Sequence, residues 1–200
     1  MLPVKFPAAI RCCAMGLRAV FLALAVVPAC LAQITWLLST KTKIDIYEYR
    51  KCPDQGTGEM DWNLRLHRVS RDLLVVEGNI SLSEPLDENI SGNIIVAEKG
   101  NGGWMERMFV FKLPNLCADI HLILGSGWTS FWEKAGVAPP VKCPIQKGNY
   151  TVTDYSTKEF EKNTIPRSRQ GTFKVDLEFL RRSTQKRMGC ISFVMNTKPQ

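Results

Sequence analysis

Residues 172–179 read Thr-Phe-Lys-Val-Asp-Leu-Glu-Phe. Phe173, Val175, Leu177 and Phe179 fall on one side of an extended chain, and Thr172, Lys174, Asp176 and Glu178 on the other. Successive side chains of a strand point to opposite faces. This segment is therefore a strand with one buried and one solvated face, the signature of an antiparallel sheet. Gly171 opens it, and a polar connection from Arg181 to Arg187 separates it from a further apolar strand, Cys190 to Met195. Working toward the N-terminus, the same period recurs. Ile44 to Tyr49 alternates; Trp62, Leu64 and Leu66 share a face, as do Leu74, Val76, Ile80 and Leu82. Asn93 to Ala97 is short and apolar. Met105, Phe109, Phe111 and Leu113 share a face with Arg107 intruding, and Tyr150 and Val152 alternate with threonines. About eight short strands separated by Gly, Pro and Asn turns predict an all-β fold, an immunoglobulin-like sandwich of antiparallel strands. One segment departs from period two: residues 116–136 place apolar side chains at helical spacing, interrupted by Gly125-Ser126-Gly127, and predict a short helical insert.

The first 32 residues carry Lys5, Arg11 and Arg18 with no acid, then an apolar run from Ala19 to Val27, then small residues up to Ala32. This order predicts a cleaved secretory signal peptide over 1–32, with Met15 as an alternative start. The rival reading is an uncleaved anchor over Ala19 to Leu38, weakened by Pro28, Gln33 and Thr35. Residues 33–43 form a lead-in and 44–196 a single sandwich domain. The whole chain carries 26 Lys and Arg against 19 acids, +7; without the signal the balance is 23 against 19, or +4. That surplus is too small to argue for nucleic acid, and no nucleic-acid partner is expected.

Loss of the signal removes Cys12, Cys13 and Cys30 and leaves Cys52, Cys117, Cys143 and Cys190. Four cysteines in a secreted chain imply two disulfides, with three possible connectivities. Zinc is disfavoured because the nearest two are 26 positions apart and zinc ligands come in close pairs. No metal and no cofactor are expected. Asn79, Asn89 and Asn149 each head an Asn-x-Ser/Thr acceptor for an N-linked glycan.

Asn115-Leu116-Cys117 after an aromatic-rich strand, Cys143-Pro144-x-x-Lys147-Gly148-x-Tyr150, and Gly171-x-Phe173 leading an alternating strand together resemble an insect family of small secreted proteins. These are the chemosensory B-type proteins, relatives of the ganglioside activator within the ML-type lipid-recognition group. The resemblance runs from about Ile44 to Met195. It implies a sandwich splayed around a lipid or other apolar ligand, and it implies the pairs Cys52–Cys190 and Cys117–Cys143. The chain departs from the activator protein in having only four mature cysteines.

The aromatic side chains are the site candidates. Trp62, Phe109, Phe111, Trp128, Phe131, Trp132, Phe173 and Phe179 would line a cavity or, more blandly, fill a solid core. Trp128, Phe131 and Trp132 in the glycine-flanked insert are expected to gate the ligand. Catalysis is not expected: Gly125-Ser126-Gly127 lacks the first glycine of a nucleophile elbow, since Leu124 stands there, and His67 and His121 are isolated. The function expected is a secreted binding protein for a lipid or other hydrophobic small molecule in chemosensory signalling, with a membrane receptor as a further partner. The alternative is an extracellular interaction glycoprotein or co-receptor subunit with a filled core.

Overall fold

Among the described residues, eight strands in two antiparallel sheets make up most of the fold. The computed structural model describes residues 42–71, 73–161 and 170–199. The expected signal peptide and nearly all of the lead-in lie outside them. Lys41–Gln200 form one compact unit. The strands are β1 Thr42–Lys51, β2 Met60–Ser70, β3 Leu73–Leu82, β4 Ile90–Gly100, β5 Gly103–Leu113, β6 Gly148–Ser156, β7 Gly171–Arg181 and β8 Arg187–Pro199. The expected insert is two helices, α1 Leu116–Leu124 and α2 Ser126–Lys134; a single turn, α3 Lys158–Glu161, follows β6. The larger sheet has the order β1-β8-β7-β4-β5 and the smaller β2-β3-β6.

TFKVDLEF lies on β7 at the centre of the larger sheet, between β8 and β4, with Val175 opposite Phe193 on one side and Val96 on the other. Two disulfides tie the fold. Cys52–Cys190 joins the end of β1 to β8, and Cys117–Cys143 joins α1 to the segment before β6. The polar connection from Arg181 to Arg187 is pinned by ion pairs. Arg181 pairs with Glu59 at 3.0 Å and Glu84 at 2.6 Å, and Arg187 pairs with Glu178 and with Asp54 at 2.7 Å.

The insert is helical for local reasons. Asn115 caps α1: its side chain accepts from the Ala118 amide at 3.2 Å, while Asp119 accepts from the Asn115 amide at 3.0 Å. Gly125 breaks the two helices apart at φ 49°, ψ −124°, a backbone conformation glycine adopts without steric cost. Helix α1 then lies hard against β4. A Cβ on Gly92 would stand 2.2 Å from Leu116 Cδ1 and 2.7 Å from the Glu178 carbonyl oxygen of β7, so a larger residue there would have to displace both the Leu116 side chain and the neighbouring strand.

The described ladders carry five register irregularities, and three of them re-aim side chains that the alternation alone would place. In β1 the register shifts between Ile46 and Glu48, so Tyr49 turns inward and Tyr47 is exposed. In β6 Asp154 takes φ 50°, the register against β3 shifts, and Tyr155 becomes buried in its place. In β5 Arg107 takes φ 55° opposite the irregularity between Val96 and Glu98. A bulge adds a residue to one strand and re-aims the side chains beyond it.

Candidate functional site

The inner faces of the two sheets do not interdigitate along their whole length; they enclose an apolar cavity of about 270 Å³. This volume is just below the ~300 Å³ that marks the small end of ligand pockets. The larger sheet supplies one wall: Ile44 and Ile46 of β1, Ile191, Phe193 and Met195 of β8, Val175, Leu177 and Phe179 of β7, and Ile94 and Val96 of β4. The smaller sheet supplies Trp62, Leu64 and Leu66 of β2 and Val76 of β3. The helices cap the remaining side with Leu116, Ile120, Ile123 and Leu124 of α1 and Trp128 and Phe131 of α2.

Of the eight aromatic candidates, four line this space: Trp62, Trp128, Phe131 and Phe179. Four do not. Trp132 is fully buried behind the wall, at ring distances of 5.8 Å from Trp62 and 5.5 Å from Trp128. Phe173 is buried at the β7 start, outside the lining. Phe109 and Phe111 are a clear correction: they stand 48% and 54% exposed. Both occupy inner-face positions, opposite Val96 and Ile94, and their rings stack at 6.3 Å. They stay exposed because β5 is the edge of the larger sheet and pairs only with β4.

The residues expected to gate the ligand, Trp128, Phe131 and Trp132, lie on the buried face of α2. There they join Trp62, Tyr155, Tyr150 and Phe179 in one aromatic cluster. Helical spacing at 128, 131, 132 and 135 carries all of these residues inward together. The exposed residue of the lining is instead Ile123, 44% exposed, on α1.

The wall offers a guest almost no polar atom. Among the described residues, the indole nitrogens of Trp62, Trp128 and Trp132 are buried with no conventional hydrogen-bond partner. The edge-to-face contacts, 70° for Trp62–Trp132 and 74° for Trp128–Trp132, place ring edges against π faces, which accept weakly from N–H groups. The two buried phenols are tied to backbone: Tyr49 donates to the Trp62 carbonyl and Tyr155 to the Gly127 carbonyl at 2.9 Å. Sequence reasoning missed Tyr49 and Tyr155 because each lies just beyond a bulge.

Burial pushes the Tyr49 and Tyr155 phenols well above their ordinary value. A raised folded-state pKa stabilises the fold below the unfolded phenol pKa of about 10, and this contribution disappears as pH rises past it. Stability should therefore fall above about pH 10, with a limiting slope of about 1.4 kcal/mol per pH unit for each phenol. Urea titrations at stepped pH check this. The Tyr49→Phe and Tyr155→Phe variants should each have a shallower slope.

The cysteine pairing is that implied by the resemblance. Asn79, Asn89 and Asn149 are all exposed. His67 is exposed on β2 and His121 half-buried on α1. Among the described residues no group of three or more His, Cys, Asp and Glu could hold a metal, and no helix is long and apolar enough to cross a membrane. No family model and no curated protein matches the chain.

Proposed function

We propose that the protein is an extracellular binding protein that takes the hydrocarbon part of a lipid or similar apolar molecule between its sheets. The observation that carries this reading is the apolar cavity, walled by aliphatic and aromatic side chains from both sheets and from α1 and α2. Two disulfides support the extracellular setting. The motif order that resembles the chemosensory B-type proteins favours a chemical signal as the guest and a membrane receptor as the next partner. A lining of aliphatic and aromatic side chains supports binding of an apolar guest as the role.

The mechanism is transfer out of water. Each buried methylene contributes about 0.8 kcal/mol before the cost of association, so affinity grows with chain length until the space is full. With no internal polar partner, a head group stays at the rim, where Ile123 is exposed.

Displacement of a fluorescent fatty acid by straight-chain alcohols tests this. Each added methylene should tighten binding about fourfold, with a plateau once the cavity is full. A flat series, or no displacement at all, contradicts the proposal. The filled-core alternative predicts that flat series.

A further inference from the structure

Two of the three Asn-x-Ser/Thr acceptors meet on neighbouring strands in antiparallel register. Asn79 of β3 stands opposite Thr151 of β6, Ile80 opposite Tyr150, and Ser81 opposite Asn149. Each asparagine thus faces the hydroxyl residue that completes the other acceptor. Ile80 is fully buried, so its neighbours Asn79 and Ser81 point away from the core. Asn79, Asn149, Ser81 and Thr151 are all exposed.

The local hydrogen bonding suits attachment of sugar. Thr151 Oγ1 donates to Asn79 Oδ1 at 3.0 Å. This bond uses the carbonyl oxygen and leaves the amide nitrogen, the atom that a sugar joins, out of it. A linked glycan preserves the bond. Beside Asn79 the surface dips into a shallow depression bordered by Asn63, Leu64, Arg65 and Gly78. Asn89 differs. Its side-chain nitrogen donates to Asp87 Oδ2 at 3.1 Å, and its acceptor hydroxyl, on Ser91, is buried against Leu180.

We infer that Asn79 and Asn149 carry a pair of neighbouring N-linked glycans that together cover the outer face of the β2-β3-β6 sheet. The inference rests on the extracellular reading of the chain. The attached group is an asparagine-linked oligosaccharide, and partners are left the larger sheet and the side bearing Phe109, Phe111 and Ile123.

The test is secretion of the full chain from eukaryotic cells. Peptide N-glycosidase then marks each occupied asparagine by converting it to aspartate, read by peptide mass mapping. Both Asn79 and Asn149 should be marked. Ser81→Ala should remove the mark at Asn79 alone, Asn149→Gln that at Asn149 alone, and Thr151→Ser should leave both. A secreted chain bare at either position overturns the inference while leaving the extracellular reading in place. A chain retained in the cell without sugar overturns both.

Discussion

Val175→Trp should weaken binding of an alkyl guest about a hundredfold while the protein stays folded. Val175 lies at the middle of β7 with its side chain on the cavity wall. An indole in place of two methyls displaces three to four methylenes of guest, about 3 kcal/mol or two powers of ten in Kd. Substituting a large side chain for a small one normally strains a packed core; here the added ring enters space that no protein atom occupies. Thermal stability should therefore change by about 1 kcal/mol or less. Ile94→Trp, on the neighbouring strand β4 and lining the same space, should behave alike. It guards against an accident of packing at one site. If both variants fold and both bind as tightly as the parent, the guest lies elsewhere.

Removing Cys52–Cys190 should be the most destabilising change to the scaffold. The bridge closes a loop of 138 residues, whereas Cys117–Cys143 closes one of 26. Loop-closure entropy gives about 5 kcal/mol for the first and about 3.5 kcal/mol for the second. A domain of this size has about 5–15 kcal/mol in total, so a Cys52→Ala/Cys190→Ala chain should melt about 10–20 °C lower. A Cys117→Ala/Cys143→Ala chain should lose less stability but more binding, because that bridge fixes the helical cap over the cavity. Calorimetry of the two double variants gives the order. Equal or reversed losses of stability would show that strain or residual structure, not loop length, governs these bridges.

Period-two alternation in TFKVDLEF and its counterparts was enough to read an all-β sandwich of eight strands. Gly125 was enough to divide the insert. The pattern failed at Tyr47, Arg107 and Asp154, where a bulge shifts the face of everything that follows. No local sequence rule distinguishes an exposed Tyr47 beside an inward Tyr49 from the reverse. Only pairing with β8 fixes the register. The site was half legible for a related reason. Trp62, Phe179, Trp128 and Phe131 are large aromatics on faces that meet, and they line the cavity. Phe109 and Phe111 have an equally good pattern. They are left exposed by strand order, which places β5 at an edge, and order is a property of the assembled sheet.

Quenching of tryptophan fluorescence by a fatty acid brominated along its chain tests the central claim most directly. Trp62 and Trp128 line the cavity and Trp132 packs against both. Saturable, one-to-one quenching that disappears in Val175→Trp is the predicted result. Quenching that never saturates, or none at concentrations where the chain-length series should bind, would show that no alkyl chain enters between the sheets.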